Sequence, residues 1–288
     1  MRLFTVNAGY FKLDGGAMHG VVPKTMWNKA NPADEHNMCN WAMRCMLVET
    51  GNHKILIDTG MGDKQDDKFF SFYHPHGDDS IEKNLKKHGF APEDITDVFL
   101  THLHFDHCGG AVVRHKNELV PAFPKAFYWS NQTHWRSASY PNDREKASFL
   151  KENFIPLEEK QDCLRFIDLN DGEDWIEDIK VRMVNGHTDA MMLPQINYNG
   201  RTVLYCADLI PSVAHISMPW VMAYDMRPLD TLTEKKKILR EAAANDWVLF
   251  FEHDPKIECA TVHEVDGRIR VKETFTVAEL TAQESKES

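Results

Sequence analysis

The segment "THLHFDHCGG", residues 101–110, places three histidines and one aspartate within six positions. It follows "ITDVFLT" (95–101), a short apolar run that is typical of a buried strand. Imidazole nitrogens and carboxylate oxygens are ligands for zinc and similar first-row metals. The segment therefore predicts a metal site at the end of a strand, with a histidine-rich polar loop as the alternative. The four ligand-type residues are His102, His104, Asp106 and His107.

The spacing within this motif also predicts its local shape. In an extended chain, residues two apart point to the same side, so we expect His102, His104 and Asp106 to converge. His107 breaks the alternation, which indicates a turn. The glycine pair at 109–110 would supply the conformational freedom that such a turn needs.

Three further ligand-type residues follow short apolar runs later in the chain. His187 follows "DIKVRMVN", Asp208 ends "TVLYCAD" and His253 ends "WVLFFEH". Functional residues usually gather at the C-terminal ends of strands in layered α/β proteins. Seven ligands are too many for one zinc ion and suit two.

The remaining patterns predict an α/β layered domain. Strands are expected at 3–6, 44–50, 53–59, 95–101, 126–130, 178–185, 192–199, 202–208 and 247–253, and helices at 80–89, 142–154 and 231–246. The Asn-Gly pair at 199–200 predicts a β-hairpin over 192–208. Thr231 and Glu234 have capping-box spacing, and residues 60–79 are expected to form a long surface loop.

The composition restricts the function. The 288 residues carry a net charge of -11, which disfavours nucleic acid as a partner. The N-terminus lacks the pattern of a signal peptide, and no apolar run is long enough to span a membrane. The six cysteines contain no C-x-x-C pair, so we expect free thiols and a cytoplasmic location.

The order H-x-H-x-D-H, lone His, lone Asp, lone His resembles the metallo-β-lactamase-fold hydrolase superfamily. The resemblance runs from "ILIDTG" (55–60) to "FFEHD" (250–254). It implies an αββα sandwich, with two mixed sheets flanked by helices, formed by a single domain over residues 1–288. It also implies two divalent metal ions per chain at one edge, with zinc expected and iron, manganese or cobalt as alternatives.

The resemblance assigns a role to each residue of the motif. His102, His104 and His187 would hold the first ion, and Asp106, His107 and His253 the second. Asp208 would bridge the two ions, and Asp106 and Asp208 are the catalytic candidates. Asp58, in "IDTG", resembles an aspartate that orients a ligand or the motif loop, with a simple turn carboxylate as the alternative.

Two segments indicate a branch within the superfamily. "FKLDGGAMHGVVPKTMW" (11–27) and "DLIPSVAHISMPWVMAYD" (208–225) resemble N-acyl homoserine lactone lactonases and methyl parathion hydrolase. Asp208 fits the bridging position better than Cys206, which is two residues away. Pro211 stands where the lactonases often carry a tyrosine, so Tyr224 or His215 is a candidate replacement.

These expectations combine into a functional hypothesis. A metal-bridged hydroxide would attack a small, apolar lactone or ester, and a homodimer is possible. The alternatives are a phosphotriesterase-like or sulfatase-like hydrolase and a metal-binding protein without catalysis. The expected pocket residues, for which ordinary core packing is an equally good interpretation, are Trp27, Met218, Trp220 and Tyr224.

Overall fold

The computed structural model describes residues 1–159 and 162–287. Its strands are β1 (Arg2–Asp14), β2 (Met38–Thr50), β3 (His53–Ile57), β4 (Asp97–Phe99), β5 (Val112–His115), β6 (Glu118–Pro121), β7 (Phe127–Ser130), β8 (Leu164–Phe166), β9 (Glu173–Ile176), β10 (Ile179–Val184), β11 (Met191–Tyr198), β12 (Arg201–Tyr205), β13 (Val248–Phe250), β14 (Cys259–Val265) and β15 (Arg268–Phe275). Its helices are α1 (Gly15–His19), α2 (Lys24–Trp27), α3 (Asp67–Tyr73), α4 (Ile81–Lys87), α5 (Phe105–Cys108), α6 (Gln132–Ser139), α7 (Ile155–Glu159), α8 (Pro228–Ala244) and α9 (Val277–Glu287).

Two mixed sheets form the centre of the fold. The first has six strands in the order β1-β2-β3-β4-β7-β8, and the second has seven in the order β15-β14-β13-β12-β11-β10-β9. A separate hairpin pairs β5 with β6. Helices cover the outer faces, so the predicted αββα sandwich is confirmed.

Strand β3 shows why its sequence is apolar at consecutive positions. Ile55 and Ile57 pack in the core between the two sheets, whereas Leu56 packs on the other face with Leu85 of α4. A strand that is buried on both faces needs apolar residues throughout, because successive side chains point in opposite directions. The "ILI" run therefore marks an inner layer of the sandwich.

The strand directions bring several carboxyl ends to one edge. In the first sheet, β3, β4, β7 and β8 run parallel to one another, whereas β2 is antiparallel to β3. In the second sheet, β12 is parallel to β13, and β10 shares that direction because β11 is antiparallel to both β10 and β12. The loops after β3, β4, β10, β12 and β13 are thus candidates for a common site.

The predicted hairpin over 192–208 is confirmed in its essentials. Strands β11 and β12 pair through Tyr198 and Arg201, and both turn residues have positive φ angles, 51° at Asn199 and 83° at Gly200. Two positive φ angles are the requirement of a type I′ turn, which Asn-Gly satisfies.

The helix predicted over 142–154 is wrong. The chain forms turns over residues 143–148 and a short 3-10 helix at Lys151–Asn153. The side-chain oxygen of Asn142 accepts hydrogen bonds from the main-chain N–H groups of Arg144 and Glu145, at 2.9 and 3.1 Å. An asparagine that bonds the main chain locally favours a turn over a helix.

The capping box predicted at Thr231 is also wrong, although the helix itself exists. Helix α8 begins at Pro228, whose fixed φ suits the first helical position. The Glu234 carboxylate instead accepts the main-chain N–H groups of Asn185 and Gly186, at 2.7 and 3.0 Å. Glu234 thereby fixes the loop after β10.

Other differences concern elements that the patterns did not reveal. Strand β1 extends far beyond the predicted 3–6, the expected loop at 60–79 contains α3, and the β14–β15 hairpin was not predicted. All six cysteines are free and buried. No helix in the described ranges combines the length and the apolar character needed to cross a bilayer.

Candidate metal centre and its pocket

The loops at the common edge bring the seven predicted ligand-type residues together. The motif follows β4, and His187, Asp208 and His253 follow β10, β12 and β13. Their ligand atoms form two groups, and within each group all atoms lie within 4.8 Å of one another. The first group is His102, His104, His187 and Asp208, and the second is Asp106, His107 and His253.

The first group has the spacing of ligands around one ion. His104 Nδ1 lies 3.1 Å from His102 Nε2 and 3.1 Å from His187 Nε2. Asp208 Oδ2 lies 3.1 Å from His187 Nε2. Ligands about 2.0–2.1 Å from a tetrahedral zinc lie about 3.3 Å apart, so this donor set fits such an ion.

The second group is built around two imidazoles. His107 Nε2 and His253 Nε2 are 3.1 Å apart, and Asp106 Oδ2 lies 3.9 and 3.7 Å from them. Asp208 Oδ1 lies 3.1 Å from His253 Nε2, while its Oδ2 lies 3.1 Å from His187 Nε2 of the first group and 3.5 Å from His107 Nε2 of the second. The Asp208 carboxylate therefore spans the two groups, as a bridging ligand must.

Main-chain contacts fix the tautomer of one inward-facing ring. His253 Nδ1 lies 2.7 Å from the carbonyl oxygen of Ala42. A carbonyl oxygen only accepts, so Nδ1 carries the proton of the neutral ring and the Nε2 lone pair points inward. That orientation is the one a metal ligand needs.

Carboxyl groups contact two further histidines at Nδ1, the ring nitrogen that faces away from the metal groups. His187 Nδ1 lies 2.8 Å from Asp225 Oδ1. His107 Nδ1 lies 3.1 Å from Asp58 Oδ2 and 3.0 Å from Glu252 Oε2. Asp58 is itself fixed by the N–H and the hydroxyl of Thr101, at 2.8 and 2.7 Å. These contacts orient the rings and increase their basicity as ligands.

His104 is held differently because it presents Nδ1 to its group. Its Nε2 lies 3.4 Å from Glu145 Oε1, and both residues are buried. Burial opposes the charge of Glu145, but favourable interactions with the His104 and Thr188 side chains outweigh it and lower the pKa of Glu145 to about 2. Glu145 thus adds another carboxylate behind a ligand-type histidine.

The electrostatics of the centre suit a cation. Burial lowers the pKa of His102 and His104, which favours their neutral, ligating form. Burial also opposes charge on His187 and His253, but Asp208 outweighs it and raises their pKa values to about 10 and about 9. Positive charge is therefore favoured beside Asp208, and a metal ion can supply it in place of protons.

An oxygen without a hydrogen-bond partner supports the same conclusion. Within the described residues, the buried atom Asp208 Oδ1 has no hydrogen-bond partner. Buried polar atoms in native proteins normally find a partner. The oxygen and nitrogen donors of this centre therefore fit metal ions, which complete such sites.

The motif turns earlier than predicted, and its glycines have another purpose. Helix α5 begins at Phe105, so Asp106 lies in a helix and joins the second group. Gly109 has an ordinary helical φ of -59°. A Cβ there would lie 2.0 Å from the Met61 carbonyl oxygen, and one at Gly110 would lie 2.2 Å from that of Thr59. The glycines permit close approach of two main-chain segments.

A cavity of about 290 Å³ opens over the centre. Its apolar lining includes Leu13, Met18, Phe105 and Met222. Polar groups on its wall include Tyr73, Arg144, Glu145 and Tyr224. A pocket of this size, largely apolar with a few polar groups, suits a small organic ligand.

Of the four residues expected in the pocket, the structure places one on the cavity wall and three outside it. Tyr224 lines the cavity. Trp27 is buried and stacks on His19, with ring centroids 5.0 Å apart, and Trp220 contacts His19 by its edge. Met218 lines a separate surface cavity. Three of these side chains thus belong to packing outside the cavity.

The structure also distinguishes between Tyr224 and His215, the two candidates to replace the tyrosine that is absent at Pro211. The Pro211 carbonyl oxygen accepts the main-chain N–H of His253 at 3.0 Å. His215 is buried, and its ring nitrogens lie 2.7 Å from Ser212 Oγ and 2.8 Å from the Met18 carbonyl oxygen. Cys206 is buried in the core between the sheets. Of these residues and Tyr224, only Tyr224 is on the cavity wall.

Sequence reasoning missed several residues of the site. Glu145, Asp225 and Glu252 were not predicted as partners of histidines, and Tyr73 and Arg144 were not predicted in the pocket. Glu252 directly precedes His253, so its position was a usable signal. The others depend on loops that meet only in the folded chain.

Comparison with known proteins places the fold and the motif in context. A model of the metallo-beta-lactamase superfamily matches residues 44–253. A probable metal-dependent hydrolase from Staphylococcus aureus has a similar structure, with a TM-score of 0.86, 27% identity and coverage of 95% of this chain and 96% of that chain.

Two lactonases are also similar to this chain. An N-acyl homoserine lactonase of Bacillus cereus is 31% identical over 119 residues, which cover 38% of this chain and 43% of the lactonase. The match therefore spans less than half of that relative. The structure of a dizinc quorum-quenching lactonase has a TM-score of 0.76 and 24% identity, with 95% of each chain covered, which shows a shared fold.

Proposed function

The chain belongs to the metallo-beta-lactamase superfamily, and from this premise we propose that it is a dinuclear metal-dependent hydrolase of small lactones or esters. One observation carries the proposal. The Asp208 carboxylate places one oxygen 3.1 Å from His187 and the other 3.1 Å from His253, between two groups of ligand-type residues. The names of the lactonase relatives support the substrate class.

The grouping of the ligand-type side chains supports the division of ligands that the family resemblance implies. His102, His104 and His187 would hold the first ion, Asp106, His107 and His253 would hold the second, and Asp208 would be shared between them. Nitrogen and oxygen donors favour zinc, as in the dizinc neighbour, while iron, manganese and cobalt are alternatives. Two such ions would supply Lewis acidity and would lower the pKa of a bound water.

The chain's own residues complete the reaction. The apolar wall with Met18, Phe105 and Met222 binds the hydrocarbon part of the substrate and excludes water. Asp106 and Asp208 would orient the attacking water, and one of these carboxylates would pass its proton to the alkoxide oxygen that leaves as the acyl C–O bond breaks. The Tyr224 phenol donates a hydrogen bond to the carbonyl oxygen of the substrate, in the role left open at Pro211.

Residues 1–288 are proposed to act as one hydrolase domain, because the loops of both sheets contribute to the metal groups. The homodimer and the cytoplasmic location remain predictions. The acidic charge of -11 continues to disfavour nucleic acid as a partner.

The test combines metal analysis with a substrate panel. Protein purified without chelators is expected to hold about two metal ions per chain, and His104→Ala to lose nearly all lactone turnover. The panel contains lactones, aryl esters and phosphotriesters. Strong phosphotriester turnover without lactone turnover would replace the proposed substrate class. One ion per chain, or full activity of His104→Ala, would contradict the dinuclear centre.

A further inference from the structure

Helix α6 touches both loops that supply histidines to the first metal group, although it contributes no ligand-type residue to that group. His134, in its first turn, is fully buried. Its Nε2 lies 2.8 Å from the main-chain nitrogen of Leu103, between His102 and His104. Its Nδ1 lies 2.6 Å from the carbonyl oxygen of Asp189, two residues after His187. One ring thus joins the two loops.

The partners determine how this ring is protonated. The Leu103 N–H can only donate, so Nε2 of His134 accepts from it. The Asp189 carbonyl oxygen can only accept, so Nδ1–H donates to it. His134 therefore satisfies both loops as a neutral ring with its proton on Nδ1.

Further contacts from the same helix hold the loop after His187. The Asn131 side chain, at the N-cap of α6, donates to the Ala190 carbonyl oxygen at 2.7 Å. The Ser137 hydroxyl donates to the Asp189 carboxylate at 2.7 Å. Ala190 has a positive φ of 51°, so the loop has an unusual conformation that needs such support. Helix α6 therefore stabilises the conformation of this loop.

We propose that His134 is a positioning residue of the first metal group. By hydrogen bonding to both loops it fixes their relative position, and it thereby sets the affinity of His102, His104 and His187 for their ion. The inference rests on the proposed metal centre and adds to it a residue that touches neither ion nor substrate. Removal of groups that orient metal ligands typically weakens metal binding about 10–100-fold.

Two conservative variants separate the effects of the two hydrogen bonds that His134 makes. In His134→Gln, the amide oxygen can take the place of Nε2 and accept from Leu103, but the contact with Asp189 is lost. In His134→Asn, the amide nitrogen can take the place of Nδ1 and donate to Asp189, but the contact with Leu103 is lost. Each variant keeps one of the two hydrogen bonds.

The experiment measures zinc affinity for each group by competition with a chelator. The full chain with His253→Ala retains the first group, and the chain with His187→Ala retains the second. We expect either His134 variant to weaken zinc binding about 10–100-fold in the His253→Ala chain and by less than about threefold in the His187→Ala chain. Equal losses in both chains, or no loss in the first, would overturn the inference.

A control separates positioning from general destabilisation. His53→Gln removes the contact between His53 Nδ1 and Asp97 Oδ2, 2.8 Å apart, at the far end of β3 from the metal centre. It is expected to lower the melting temperature but to leave both zinc affinities unchanged. If the His253→Ala chain binds no zinc even with His134 intact, the proposed centre itself is wrong. If it binds zinc equally with and without His134, only the proposed role of His134 is wrong.

Discussion

The Asp225 carboxylate lies 2.8 Å from Nδ1 of His187, 38 positions away in the sequence. The next residue, Met226, donates its main-chain N–H to the His187 carbonyl oxygen at 3.1 Å. One segment therefore fixes both the ring and the main chain of a ligand-type residue. Such contacts determine whether a metal group is already formed before its ion binds.

Asp225→Asn is expected to weaken zinc binding by about tenfold, because the neutral amide no longer supports the basicity of the His187 ring. Chelator competition on the purified protein measures the effect. Asp246→Asn is the matched control, since Asp246 pairs with Arg201 and Lys272 in exposed ion pairs. An affinity equal to that of the wild type would show that the contact does not support the ligand.

Tyr224→Phe is expected to lower kcat for a lactone about 100-fold, because the carbonyl oxygen loses a hydrogen-bond donor in the transition state. KM should change little, since the aromatic ring remains on the pocket wall. Tyr140→Phe is the control, because Tyr140 is 83% exposed. A higher KM with unchanged kcat would assign Tyr224 to substrate binding alone.

Lys235 is expected to make stability depend on pH. Burial lowers the pKa of Lys235 to about 7, although the charge of Asp225 acts in the opposite direction. The unfolded chain has a lysine pKa of about 10.4, so between pH 7 and pH 10 it binds more protons than the folded chain. The free energy of unfolding therefore rises with pH in this window.

Lys235→Met removes this contribution. The difference in unfolding free energy, wild type minus variant, should be flat below pH 7 and rise above it by at most about 1.4 kcal/mol per pH unit. Urea unfolding between pH 6 and pH 10 measures it. The exposed neighbour Lys236 provides the control Lys236→Met. Parallel curves for wild type and Lys235→Met would refute the shifted pKa.

Gly186→Ala is expected to destabilise the fold by about 3 kcal/mol, because a Cβ would lie 2.2 Å from Thr231 Oγ1 and 2.3 Å from the Thr231 main-chain nitrogen. The loop before His187 would then move away from α8. Gly172→Ala, whose Cβ would meet nothing within 4 Å, is the comparison. It carries only the cost of a φ of 86°, about 1 kcal/mol. Equal losses for both variants would contradict the close-packing argument.

The inner strands and the ligand-type residues could be read from the sequence because their signals are local. The "ILI" run of β3 and the run before the motif are apolar at consecutive positions, as strands buried on both faces require. The helix predicted over 142–154 failed because Asn142 bonds the main chain of Arg144 and Glu145, a competition that periodicity does not record.

From residue type and spacing, the sequence by itself determined a layered α/β domain and the ligand-type residues that end its strands, and its resemblance to a known superfamily implied the αββα sandwich. Only the tertiary structure determined which side chains support the ligand-type histidines and which residues line the pocket. Glu145, Asp225 and His134 reach the centre from loops and helices far away in the chain. The physical reason is that the role of a polar side chain depends on its hydrogen-bond partner. These partners come from distant segments of the chain, which meet only when the chain folds.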